Sequence, residues 1–143
     1  MRARAAGWTA ALTLAVLPVA ACTYNPTIRD VGGVRLQPEE GRVVRQPDAN
    51  AAVVHVQLKS TGKFGDVLLG AEAPIARRAE LLAANGAAVG SIEIPGETVV
   101  KFGEKGPRIV LSDLTRTLMP GEVVIVTLHF RKYGALGVIS VVQ

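Results

Sequence analysis

The side chains that could carry chemistry in this chain are few, and most of them are soft metal donors. Cys22 is the only cysteine, the two histidines are His55 and His129, and Met119 is the one methionine besides Met1. Imidazole, thiolate and thioether groups are the ligands that soft ions such as Cu(I) prefer in proteins. These donors lie far apart in the sequence, so a metal site would require the fold to bring them together.

Cys22 lies at the end of a segment typical of an export signal. Two arginines, at positions 2 and 4, precede an apolar run over residues 8–19, which closes on the sequence VAAC at residues 19–22. A charged start, a short apolar middle and small residues before the cut predict a signal peptide. The closing sequence resembles the lipobox of bacterial lipoproteins, which implies removal of residues 1–21 and acylation of the Cys22 thiol. A signal-anchor helix is the alternative, but a spanning helix needs about 20 apolar residues.

The composition without this leader describes one domain of ordinary size. Removal of residues 1–21 leaves 122 residues with 14 basic and 12 acidic side chains, a net charge of +2. A chain of this length can bury a sizeable hydrophobic core. The basic residues are scattered and aromatic residues make up only 4% of the chain, so nucleic acid is not an expected partner. With its one cysteine assigned to lipid, the domain is expected to have no internal disulfide.

Short alternating segments between turn residues predict an all-β fold, an immunoglobulin- or cupredoxin-like antiparallel sandwich. In the clearest of these segments, Val124, Val126, Leu128 and Phe130 share the face predicted to point inward. Residues 37–50 are polar and contain two prolines and a glycine, so we predict a long loop there. The predicted strands are residues 51–59, 66–73, 77–83, 91–94, 98–102, 108–114, 123–130 and 136–142, with an Asn-Gly hairpin turn at residues 85–86.

Sequence patterns typical of enzymes are largely absent. The sequence has no glycine-rich phosphate loop and no G-x-S-x-G motif, and acylation of Cys22 leaves no thiol nucleophile. His55 and His129 are predicted on the solvent faces of their strands, while Asp66 and Asp113 lie near strand ends. Nothing in the pattern places a serine, a histidine and an aspartate together, so we do not expect an enzyme.

The order of several short motifs resembles the PCu(A)C family of periplasmic copper chaperones, also called DUF461. The motifs are LKSTG at 58–62, RAEL at 78–81, IEIPG at 92–96, LMPGE at 118–122 and VTLHF at 126–130. The resemblance extends over roughly residues 28–142. It implies a cupredoxin-like sandwich that binds Cu(I) through histidine and methionine side chains and delivers it to the copper site of cytochrome oxidase.

At the positions of the family's metal ligands, this sequence differs from the family pattern. Leu82 stands where the family has its first histidine, and Arg108 and Val110 stand where it has its closing His-x-Met pair. The chain is therefore most similar to the actinobacterial LpqE-like lipoproteins, a branch of the family with a degenerate metal motif. We treat Leu82, Arg108 and Val110 as degenerate metal-site positions and as the rim of a candidate partner surface.

Two functions follow from this comparison. The first is a non-catalytic binding or assembly module that has lost the usual copper site, so no cofactor is expected and the partner is an envelope protein. The second is a true copper chaperone that delivers Cu(I) to an oxidase through unconventional ligands, namely His55, His129 and Met119.

Both functions share one domain organisation and one location. Residues 1–21 are the predicted lipoprotein signal peptide, 22–27 a lipid-anchored tether and 28–143 the PCu(A)C-like sandwich. Cys22 is expected to hold the protein on the extracytoplasmic face of the cell membrane, because two or more acyl chains anchor a protein where one alone is marginal.

Overall fold

The computed structural model describes residues 28–143, and the predicted leader, Cys22 and the tether lie outside this range. Within it the chain forms eleven β-strands and one 3₁₀ turn, Pro47–Ala49, with no helix long and apolar enough to cross a membrane. The strands are β1 Asp30–Val31, β2 Val34–Gln46, β3 Ala51–Ser60, β4 Asp66–Glu72, β5 Ala76–Leu82, β6 Ala88–Val89, β7 Ile92–Ile94, β8 Thr98–Phe102, β9 Arg108–Leu114, β10 Val123–Phe130 and β11 Gly134–Val142. The predicted all-β fold is confirmed.

Hydrogen bonding joins the strands into one continuous path that encloses a single core. The order is β6-β5-β9-β3-β2-β11-β10-β4-β7, with β1 added to β2 and β8 added to β3. All strand pairs are antiparallel except β11 with β2, which run parallel. The path folds back until β4 lies beside β5, which gives the near-closed sandwich.

Alternating side chains fill the core, as the sequence predicts. On β10 the side chains of Val126 and Leu128 are fully buried, while Val123 and Ile125 on the opposite face remain more than half exposed. Val54 and Ile109 face each other across β3 and β9 and are also fully buried. Burial of each such Val, Leu or Ile side chain stabilises the fold by about 1.5–3 kcal/mol. The apolar face of each strand therefore points into the core.

The prediction of a long loop over residues 37–50 is wrong, because β2 runs through most of it. Its pairing with β3 continues on both sides of a bulge, where Glu40 and Gly41 lie opposite Val56. Glu40 has a positive φ of 54°, and a Cβ on Gly41 would lie 2.4 Å from the carbonyl oxygen of Ile139. Proline and glycine therefore mark a bulged strand that passes close to β11, and not a break in the sheet.

The Asn-Gly hairpin turn is present, but its second arm differs from the expected one. β5 turns through residues 83–87 and pairs with the two-residue strand β6. The sequence predicts that the strand at residues 91–94 is the second arm of this hairpin, but β7 pairs with β4.

Candidate functional site

His55 lies on the outward face of β3 and is closely covered by a neighbouring loop. It is paired in register with Arg42 of β2. A Cβ built on Gly103, which has a φ of +155°, would lie 2.8 Å from Nδ1 of His55. The loop that joins β8 to β9 can therefore approach the imidazole only because residue 103 has no side chain.

A cavity brings His55 together with Arg108, although the two residues are far apart in the sequence. Because Val54 pairs with Ile109, His55 and Arg108 are brought to adjacent positions on β3 and β9. The cavity has a volume of about 180 Å³, and its wall consists of Val44, Gln46, Val53, His55, Glu104 and Arg108. A wider cleft of about 680 Å³ adjoins it and shares His55 and Glu104, with Arg42, Lys101 and Lys105 on its wall.

The electrostatics of this cavity favour a neutral imidazole. The pKa of His55 is lowered mainly by partial burial and then by the charge of Arg42, while the carboxylate of Glu104 acts in the opposite direction. Near neutral pH the ring therefore carries no proton on one nitrogen, which is the form that binds metals.

Arg108 contributes a guanidinium group to the wall of the same cavity. Among the described residues, its buried Nε atom has no hydrogen-bond partner. Buried polar atoms are nearly always satisfied by protein or water. The positive charge of Arg108 therefore forms part of the wall of this cavity.

The three predicted rim positions are neighbours in the structure. Leu82 of β5 lies directly opposite Arg108 of β9, so their side chains share one face. Val110 follows two residues along and pairs with Val53. Leu82, Arg108 and Val110 therefore lie beside the His55 cavity, which no pattern in the sequence indicated.

The structure does not bring His55, His129 and Met119 together. β3 and β10 are separated in the sheet order by β2 and β11, and three interstrand steps of about 4.8 Å amount to roughly 14 Å. His129 instead faces Glu72, with 3.3 Å between Nε2 and Oε1. Met119 is 61% exposed in the turn before β10. Within residues 28–143 no three His, Cys, Asp or Glu side chains cluster as metal ligands.

The fold of this chain is that of PCuAC domains. The copper-bound PCuAC domain from PmoF2 is similar with a TM-score of 0.68 and 19% identity, over 82% of this chain and 97% of that one. The apo PCuAC domain from PmoF1 gives 0.67 and 20%, over 82% and 98%. CuI-DR1885 from Deinococcus radiodurans gives 0.66 and 22%, over 87% and 85%. At such identities the likeness concerns the fold.

The family model named LpqE-like, whose description is that of a lipoprotein, matches residues 27–142, so the chain belongs to the LpqE-like family. No curated protein sequence matches it. The family predicted from the sequence is confirmed. The description of this family as a lipoprotein agrees with the export signal expected from the sequence.

The expectation that the protein uses no cofactor is contradicted by these comparisons. The PmoF2 domain is copper-bound and DR1885 is in its CuI form. Our expectation rested on Leu82, Arg108 and Val110 replacing the family's ligands. Substitution at those positions does not exclude other donors on the same scaffold, and the alternative, copper, is the better supported of the two.

Proposed function

We propose that this protein is a lipid-anchored, non-catalytic copper chaperone of the cell envelope, with His55 as the metal ligand that the domain itself supplies. Copper is its cargo, and a receiving protein docks on the rim formed by Leu82, Arg108 and Val110. The observation that carries the proposal is the placement of a neutral, half-buried imidazole in the cavity beside these rim positions.

The donors in this cavity fit a weakly held, exchangeable copper ion. The imidazole of His55 suits copper, and the carboxylate of Glu104 offers a second, harder donor on the same wall. Arg42 and Arg108 lie close by and repel a cation. Two donors opposed by two positive charges favour release over storage, which is what delivery to a partner requires.

The anchor is the second part of the proposal. Support comes from the leader and the VAAC sequence at residues 19–22 and from membership of a family described as a lipoprotein. Acylation at Cys22 would keep the domain at the membrane surface, where membrane-bound copper enzymes are found. Replacement of Cys22 by Ser should move the protein from the detergent phase to the aqueous phase, and an unchanged partition would contradict the anchor.

A Cu(I) competition titration tests the copper site. We expect the wild-type chain to bind one ion, and His55→Ala to weaken binding by at least about tenfold, or about 1.4 kcal/mol. His129→Ala is the matched control, because His129 pairs with Glu72 on another strand and should leave the affinity unchanged. Loss of binding in His129→Ala but not in His55→Ala would place the site elsewhere.

A further inference from the structure

One end of the sandwich lies where the described chain begins, and we name it the tether end. It consists of residues 28–33, 61–65 and 131–134. The guanidinium of Arg29 donates a hydrogen bond to the carbonyl of Tyr133 and lies 4.3 Å from the centre of the Tyr133 ring. The backbone N–H of Phe64 donates to the carbonyl of Gly33. The start of the domain is therefore fixed to the loops of this end.

The tether end exposes an aromatic side chain next to cations. Phe64 is 53% exposed, and one edge of its ring packs over Gly33, where a Cβ would lie only 2.6 Å away. The ammonium of Lys63 lies 5.9 Å from the ring centre. Ile28 is 39% exposed on the same end. Aromatic and basic side chains presented together are typical of surfaces that meet lipid headgroups.

The charges at this end sum to a small positive excess, and the exposed ones are mostly cations. Asp30 pairs with Arg35 at 2.7 Å. Asp66 is buried and accepts hydrogen bonds from three backbone N–H groups. The other charged groups at this end and in the adjoining residues 93–97 are four cations and two carboxylates, so with Asp66 the excess is one positive charge: Arg29, Lys63, Arg131 and Lys132 against Glu93 and Glu97.

The length of the tether limits how far this end can move from the bilayer. Five residues separate Cys22 from Ile28, and six fully extended steps of about 3.5 Å span at most roughly 21 Å. In a domain anchored at Cys22, the tether end thus stays within roughly 21 Å of the lipid headgroups.

We infer that the tether end is a membrane-docking surface, which inserts Phe64 among the headgroups of an anionic bilayer while the cations around it contact lipid phosphates. The inference rests on the anchor proposed above, but not on the copper site. Docking by this end fixes the orientation of the domain, with the turn that carries Met119 held farthest from the membrane.

Tryptophan scanning in proteoliposomes tests this orientation. Trp8 is the only tryptophan of the chain and lies in the leader that processing removes, so an introduced tryptophan is the single probe in the acylated protein. The full chain, acylated in a bacterial host, is reconstituted in vesicles of phosphatidylglycerol and brominated phosphatidylcholine. We expect Phe64→Trp to shift its emission to the blue and to lose most of its fluorescence to bromine.

Two controls carry their probes on other exposed surfaces. Met119 is 61% exposed at the opposite end and Ile139 is 70% exposed on the outer face of β11. We expect Met119→Trp and Ile139→Trp to keep the emission of a water-exposed probe. Quenching of either control to the extent of Phe64→Trp, or no quenching of Phe64→Trp, would overturn the inference.

A charge reversal and a mass measurement separate the possible failures. Lys63→Glu with Lys132→Glu should reduce the quenching of Phe64→Trp, whereas Lys101→Glu with Lys105→Glu, on the cleft beside His55, should not. Equal quenching in both pairs would refute the lipid contact of the cations. An unmodified Cys22 by mass spectrometry would refute the anchor alone. In that case the unacylated Phe64→Trp protein is mixed with the same vesicles and its quenching by bromine is measured. No quenching in this mixture would refute the docking surface.

Discussion

The loops around Asp66 and the cavity around His55 both contain buried polar groups, but the hydrogen bonding of these groups differs. The Asp66 carboxylate accepts hydrogen bonds from the backbone N–H groups of Val67, Lys132 and Tyr133 at 2.7–3.2 Å. In the His55 cavity, the Nε atom of Arg108 has no partner among the described residues. Polar groups in the first region hold loops in place, whereas in the second the buried Nε of Arg108 is not used by the backbone of the described residues.

The comparison also shows why an acid near a strand end is a poor indicator of catalysis. Asp66 is 3% exposed and its acceptor capacity is used by the turn between β10 and β11. A carboxylate whose oxygens already accept hydrogen bonds from backbone N–H groups has little acceptor capacity left to bind a substrate. The polar groups that can act on another molecule are those that the fold leaves unsatisfied.

Removal of the Asp66 carboxylate should give the largest change. We expect Asp66→Ala to lower the free energy of unfolding by about 3 kcal/mol, because backbone N–H groups buried in the loops around Asp66 lose their acceptor. Urea unfolding measures the change. Asp66→Asn keeps one acceptor oxygen and should cost less, and Asp48→Ala, on the exposed 3₁₀ turn, should cost almost nothing. Equal losses in Asp66→Ala and Asp48→Ala would remove the contrast between the two regions.

A side chain at position 103 should perturb the His55 cavity, with a smaller loss of stability than Asp66→Ala causes. We expect Gly103→Ala to cost about 1–2 kcal/mol, because the new Cβ collides with the His55 ring at a strained φ. Copper affinity should fall with it, since the ring must move. Gly90→Ala is the control, because no atom lies within 4 Å of its Cβ position. Unchanged copper binding in Gly103→Ala would show that the position of His55 does not matter.

Charge reversal at Arg108 should act on metal and partner in opposite directions. Arg108→Glu replaces a repelling cation beside His55 by a carboxylate, so we expect copper affinity to rise roughly tenfold. Retention of the receiving protein in a pull-down from the envelope should fall. Arg78→Glu, on β5 beside Asp113 and away from the cavity, should change neither quantity. A pull-down that does not change with Arg108→Glu would count against the rim as a docking surface.

The pH dependence of stability offers the smallest but most direct test of the His55 environment. The folded-state pKa of His55 is lowered, so the unfolded chain binds more protons near pH 6. Its contribution to stability is present above the unfolded pKa, near 6.5, and is lost as the pH falls below it. We expect His55→Gln to flatten this part of the stability curve between pH 8 and about 5. Parallel curves for His55→Gln and the wild type would refute the assigned cause.

Much of the fold was predictable because alternation and turn residues carry the signal locally. β10 and β9 fall where the sequence placed them. The strand β2 was missed, because Pro38 and Gly41 mark a loop by local rules. Only the approach of β11, whose Ile139 carbonyl lies against Gly41, shows why residue 41 has no side chain.

The candidate site was only half predictable for a similar reason. Leu82, Arg108 and Val110 came from the family resemblance, and His55 from a search for soft donors. Their proximity depends on the pairing of β3 with β9, which connects residues more than fifty positions apart. Residue types can be read from the sequence, whereas a register between distant strands is decided by the packing of the whole core.

The position of β2 between two strands affects how the domain unfolds. One edge of β2 is hydrogen-bonded to β3, which carries His55. Its other edge pairs in parallel with β11, the last strand described. The backbone of β2 is thus hydrogen-bonded to both halves of the sandwich. Because β2 joins the two halves, we expect the described domain to unfold in one cooperative step.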